Sequence, residues 1–398
     1  MPIPQALFDS LEHFSHLNSS SIWHNHTDDI AQARLFLRSY RGSEATFNVY
    51  RREVERLLQW SCLIQKKSLR DLKREDIEAF IHFCQHPPQA WIGLVQAPRF
   101  IEAEGQRIPN PAWRPFVSAI SKKERKDGQI PSPSDYNLSQ SAIQSLFASL
   151  SSFYNFLIQE HYTDNNPVAH IRQKSKFIRK QQGQKPIRRL SETQWNYVIH
   201  TVTALADQNS QYERSLFIMS ALYGMYLRIS ELAANERWSP EMGDFYQDQD
   251  KQWWFKTVGK GNKERSIVVS DEMLIALKRY RRSLGLSSLP FRGENTPLIP
   301  KQIGHGPITD TRHIRRLVQY CFDQAIERLT KDQLLDEAEQ LKHATVHWLR
   351  HTGISEDVKT RPREHVRDDA GHSSSAITDR YIDVELKERH RSGKNKPL

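Results

Sequence analysis

The chain has no apolar run long enough to cross a bilayer. Its most apolar stretch, LFIMSALYGMYL at 216–227, is interrupted by Ser220 and ends at Arg228, well short of the ~20 residues a spanning helix needs. The opening MPIPQALFDSLEHF lacks the basic, apolar and small-residue succession of a secretory signal. With a mean hydropathy of −0.68, the expectation is a cytoplasmic protein with no membrane contact. Cysteine is scarce. Cys62, Cys84 and Cys321 are odd in number and far apart, which excludes a disulfide framework and a zinc ribbon and predicts buried thiols. The phosphate-cradling pattern GxxxxGK[ST] is absent, and the HNH at 24–26 stands without the ββα-metal context a nuclease needs. Acidic excess is missing too. Lys and Arg number 57 against 47 Asp and Glu, a formal charge of +10, and the pI is near 9.4. Such a balance gathers polyanions, nucleic acid first, although a basic protein with no nucleic-acid role would share it.

What is present falls into two parts, as the 398-residue length suggests. Residues 1–30 form a polar N-terminal extension. Helical spacing begins near 31, and in SEATFNVYRREVERLLQWSCLI the side chains Phe47, Tyr50, Val54, Leu57, Leu58 and Cys62 share one face, with Ser43 at the start. Periodicity fades between 87 and 137, where prolines and aromatics predict an ordered, irregular insertion. It returns in LSQSAIQSLFASLSSFYNFLIQE, with Leu146, Leu150, Phe153, Phe156 and Leu157 as the stripe. From 172 to 189 the chain carries eight basic residues and no acidic one. A solvated linker could look like this, but so would one laid along a phosphate backbone. We expect a helical domain over 31–171, a basic linker over 172–190 with Lys174, Lys176, Arg179, Lys180, Arg188 and Arg189 as DNA contacts, and a second domain over 191–398. Ser191 and Gln194 predict a capping box at its start.

Four motifs in the second domain carry chemistry. YLRISEL places Arg228 between apolar neighbours, where burial is costly unless an anion meets it, with Glu231 three residues on. KQWWFKTVGKGNKERSIVV reads as a β-hairpin around GKGN, with Lys260 and Lys263 at or beside its tip and Arg265 just beyond. HATVHWLRHTG puts His347 and Arg350 on one helical face, able to offer several donors to one phosphate. His343 and His347 have HxxxH spacing, but no Glu stands between them as HExxH requires. Finally AGHSSSAITDRYIDV supplies His372 and Tyr381. Each motif also has a bland reading: a surface ion pair, an exposed turn, a packed tyrosine.

In this order the motifs resemble the catalytic domain of the tyrosine recombinase (phage integrase) family, from about 190 to 385. The earlier helices look, more loosely, like that family's core-binding domain. The resemblance implies a mainly α fold: a helical, SAM-like amino-terminal domain, then a mixed α/β, mostly helical catalytic domain with a small β-hairpin sheet. It implies that Tyr381 attacks a DNA phosphodiester and keeps the 3'-phosphate as a phosphotyrosyl ester. Arg228 and Arg350 would clamp the nonbridging oxygens, and His347 and His372 would add donors, His347 also serving as a base toward Tyr381. Lys260 would protonate the departing 5'-oxygen, and Glu231 would hold Arg228 or the histidines in place. Lys263 and Arg265 would contact DNA. No metal or cofactor is implied, and the partner is a double-stranded target site bound by a homotetramer onto which the tail ELKERHRSGKNKPL could dock. Two competing readings share parts of this pattern: a type IB topoisomerase-like relaxing enzyme, and a non-catalytic DNA-binding regulator. The chain departs from the family in the highly charged ISEDVKTRPREHVRDDA at 354–370 and in Tyr226, where a small residue is usual.

Overall fold

The computed structural model describes residues 2–13, 25–40, 43–120, 124–125, 128–172, 188–259, 262–379, 381 and 393–394. The chain divides into two compact units, Met1–Gln182 and Gly183–Leu398. Lys174, Lys176, Arg179, Lys180, Lys260 and the tail from 382 to 392 lie outside the described residues.

In the first unit, helices α1 (Thr27–Arg38), α2 (Glu44–Trp60), α3 (Arg74–Gln85), α4 (Gln140–Gln159) and α5 (Pro167–Arg172) enclose one apolar core. The stripe expected on α2 is buried at Phe47, Val54, Leu57 and Leu58, and that of α4 at Leu146, Leu150, Phe153 and Leu157. Each such side chain contributes about 1.5–3 kcal/mol through burial. The insertion holds four short strands, β1 (Ile92–Gly93), β2 (Phe100–Ala103), β3 (Gln106–Pro109) and β4 (Phe116–Val117). β2 and β3 form an antiparallel hairpin, and β1 pairs with β4 in parallel. Trp91 and Phe116 carry the insertion into the core.

The N-terminal extension is not peripheral where it is described. Leu7 and Phe8 are buried in the same core, and Glu55, on the inner side of α2, accepts from the backbone N–H groups of both. Arg99 of the insertion pairs with Glu55, and Arg107 meets Asp9 at 2.6 Å. A buried carboxylate such as Glu55 is tolerable only with partners of this kind. The extension and the insertion therefore brace one another against α2.

The second unit comprises α6 (Glu192–Gln208), α7 (Glu213–Gly224), α8 (Asp271–Ser283), α9 (Thr311–Lys331), α10 (Leu335–Leu341), α11 (Val346–Asp357), α12 (Arg363–Ala370) and α13 (Ser375–Asp379). A three-stranded antiparallel sheet joins them, β5 (Phe245–Gln247), β6 (Trp253–Val258) and β7 (Glu264–Val268), in the order β5-β6-β7. The capping box starts α6: Ser191 Oγ accepts from the Gln194 N–H at 3.1 Å, and Gln194 Oε1 accepts from the Ser191 N–H at 3.0 Å. On α9, Ile314, Val318, Cys321, Phe322, Ala325 and Leu329 recur at three- and four-residue steps and are all buried, as an amphipathic helix requires. Cys62, Cys84 and Cys321 are buried cysteines. Among the described residues no helix is long and apolar enough to cross a membrane.

Candidate active site

The site forms where the end of α7, the β6–β7 hairpin, α11 and the α12–α13 turn meet. Beyond Gly224, Tyr226 adopts a φ of +49°, a left-handed conformation rare for a bulky side chain. Three hydrogen bonds brace it. Its phenol donates to Asp357 Oδ2 and accepts from Arg361 Nη1 at 3.0 Å, while its carbonyl accepts from Arg350 Nη1. Next, Arg228 is extended and a 3₁₀ turn, Ile229–Glu231, folds the carboxylate back. Glu231 accepts from the Arg228 N–H at 2.8 Å and from Arg228 Nη1 at 3.0 Å, and Arg228 Nη2 reaches Gly371 O at 3.3 Å.

Arg265, expected on DNA, is instead turned inward. It grips both oxygens of Glu231 at 2.8 Å and donates from Nε to Asp369 O at 2.9 Å. Three of its five donors are thereby taken. Glu231 itself is 1% exposed. Burial pushes its carboxyl up, but the hydrogen bonds and charge of Arg265, then those of Arg228, more than offset this and hold it below the usual range.

Arg350, on α11, is 6% exposed and donates to two neutral carbonyls, Tyr226 O and, at 2.6 Å, Ala370 O. Burial, then repulsion from Arg228, lowers its pKa to about 10, so it stays a cation at neutral pH. Arg228, Arg265 and Arg350 surround the single carboxylate of Glu231, leaving an excess of positive charge suited to an anion.

The α12–α13 turn brings in His372 and Tyr381. Gly371 ends α12 with a φ of +63°, which glycine adopts without cost. His372 Nδ1 lies 2.9 Å from Thr378 Oγ1, and its ring stacks on Tyr381 with centroids 5.7 Å apart. Burial, then the charges of Arg350 and Arg228, hold its pKa down to about 4. Tyr381 is 7% exposed and packs in a small apolar cluster with Tyr226, Ile354, Val366 and Ala370. The charged segment 354–370 thus has an apolar inner side, and its charges pair outside it: Arg361 binds Asp357 at 3.1 Å and Asp369 at 2.6 Å.

The nitrogen facing the Tyr381 phenol belongs to a residue that received no role from the motif. His351 Nδ1 is 2.6 Å from Tyr381 Oη. His347, one helical turn earlier, stands at the surface, its pKa lowered by partial loss of hydration and by Arg315 and Arg350. No hydrogen bond joins it to the phenol. The only sequence signal for His351 was its place beside Arg350. Although Lys260 is not described, Gly259 before it is. Its N–H donates to Lys263 O at 2.8 Å, and a methyl group there would come 2.9 Å from Arg265 Nη1 and 3.4 Å from Arg228 Nη1. The hairpin end therefore abuts the arginine cluster. Lys263 and Arg188 are exposed and Arg189 is half-buried.

Residues 188–388 match the model of the phage integrase family. The tyrosine recombinase XerC of Chlorobaculum parvum is 25% identical over 267 residues, 63% of this chain and 71% of that protein. XerC of Pediococcus pentosaceus is 27% identical over 253 residues, 63% of this chain and 73% of that protein. Among solved structures, the XerH site-specific recombinase bound to palindromic difH substrate in a post-cleavage complex shares the fold with a TM-score of 0.57 at 12% identity, covering 96% of this chain and 90% of that one. The motif order, the fold and these likenesses agree, and the chain belongs to the phage integrase family: it is a site-specific tyrosine recombinase.

Proposed function

We propose that this recombinase cleaves one strand of a double-stranded target site with Tyr381, forming a 3'-phosphotyrosyl bond and freeing a 5'-hydroxyl. The observation that carries this reading is the meeting of Arg228, Arg350, His372 and Tyr381, drawn from three stretches of sequence, in one positively charged cluster. Arg228 and Arg350 hold the nonbridging oxygens and stabilise the charge that builds on the phosphorane. His347 and His372 add donors, and Lys260 protonates the leaving 5'-oxygen. Glu231 acts through Arg228 and Arg265. Rejoining reverses the steps, because the phosphotyrosyl ester retains the energy of the broken linkage. Exchange between two duplexes uses four such sites, so the working assembly is a homotetramer on DNA, in the cytoplasm, serving integration or excision of a mobile element.

The test begins with DNA recovered from cells expressing the chain, which defines the target. On a nicked form of that site, the wild-type protein is expected to form a covalent adduct and Tyr381→Phe to form none while still binding. Relaxation of any supercoiled plasmid without strand exchange would overturn recombination, and absence of an adduct on the correct site would overturn catalysis.

A further inference from the structure

We propose that His351 is a catalytic residue of this enzyme: its Nδ1 takes the proton from Tyr381 as the phenol attacks phosphorus. The inference rests on the cleavage reading above and deepens it.

The geometry comes first. α11 carries His347, Arg350 and His351, and the helix turns the last of these toward the nucleophile. Nδ1 sits 2.6 Å from Oη, with the ring centroids 5.5 Å apart, within reach for direct proton transfer. The other histidines are placed differently. His372 commits Nδ1 to Thr378 Oγ1 at 2.9 Å and presents a ring face to the tyrosine. His347 is at the surface, without a hydrogen bond to the phenol. With the ring proton on Nε2, Nδ1 of a neutral His351 accepts the phenol hydrogen.

The chemistry then balances. A free phenol is a weaker acid than a free imidazolium, which couples transfer of the proton to the attack. The proton moves as the Oη–P bond forms and the oxygen loses its basicity. The P–O5' bond breaks, the 5'-oxygen receives a proton from the general acid, and the phenol proton stays on His351 Nδ1. On rejoining, the 5'-hydroxyl attacks, the Oη–P bond breaks, and the imidazolium returns its proton to Tyr381. No further reactant is needed.

The experiment measures covalent adduct formation on the nicked target site by full-length protein. His351→Ala and His351→Asn are expected to slow the step on the order of 10²-fold, with DNA affinity and thermal unfolding close to wild type. Asparagine can accept the phenol hydrogen bond but cannot take the proton, so wild-type rates in His351→Asn would overturn the base role. Replacing Tyr381 by a fluorinated tyrosine, whose phenol is more acidic, is expected to restore more of the lost rate in His351→Ala than it adds to the wild type; equal effects would overturn the proposal. One readout needs no variant: the ¹⁵N resonance of His351 Nδ1 in the wild-type protein is expected to be pyridine-like, and a protonated, pyrrole-like Nδ1 would overturn it. If the wild-type protein itself forms no adduct, the cleavage reading falls and this inference with it; if it does and the variants match it, this inference alone falls.

Discussion

A phosphodiester held between Arg228 and Arg350, as proposed above, would change the proton balance of His372. In the free protein, burial and the charges of Arg350 and Arg228 hold its pKa to about 4 against an ordinary 6.5. An anion between the two arginines offsets their repulsion, so the histidine regains proton affinity on binding. Target binding near pH 5.5 is therefore expected to take up a proton. Calorimetry in buffers of different ionisation enthalpy measures it, and His372→Gln should remove it. The same shift sets a stability trend. Between about pH 4 and 6.5 the unfolded chain holds a proton on this residue that the folded chain does not, so its contribution to stability rises with pH through that window and is constant above it. The melting temperature should accordingly drop on acidification below 6.5, less so in His372→Gln.

At the scale of elements, the turn after α12 is the joint on which the site depends. Gly371 has a φ of +63°, its carbonyl accepts from Arg228, and an added Cβ would stand 2.9 Å from Arg265 Cδ. Gly371→Ala combines a left-handed strain of about 1–2 kcal/mol with displacement of Arg265, the partner of Glu231. We expect a loss of about 1–3 kcal/mol in denaturant unfolding and a larger fractional loss of adduct formation than of DNA binding. Tyr226 poses the same backbone problem with a different solution. Its left-handed φ is held by a phenol braced on Asp357 and Arg361, and the carbonyl so fixed receives Arg350. Two departures from the family pattern, the tyrosine and the charged segment, are thus halves of one arrangement.

For the whole molecule the dominant quantity is charge. A surplus of ten cations draws the protein to DNA over distances set by ionic strength, and the run at 172–189 carries eight of the basic residues and no acidic one. If Lys174, Lys176, Arg179 and Lys180 each neutralise one phosphate, replacing all four by Gln lowers the slope of log affinity against log salt by roughly 3 to 4. Binding measured at several salt concentrations checks this. An unchanged slope would mean that these residues are solvated rather than laid on the backbone.

Local periodicity alone determined the stripes of α2 and α4, the capping box of α6 and the hairpin, because each depends on residues a few positions apart. Motif order pointed to Arg228, Arg350, His372 and Tyr381. Tertiary structure alone decided which polar groups pair across the chain. Glu231 and Arg265 are 34 residues apart, and His351 and Tyr381 are 30 apart. An inward arginine and a DNA-facing one read alike in sequence, since what separates them is the carboxylate brought alongside by packing. The extension around Leu7 and Phe8 was polar in composition, and only the partners supplied by α2 and the insertion made it part of a core.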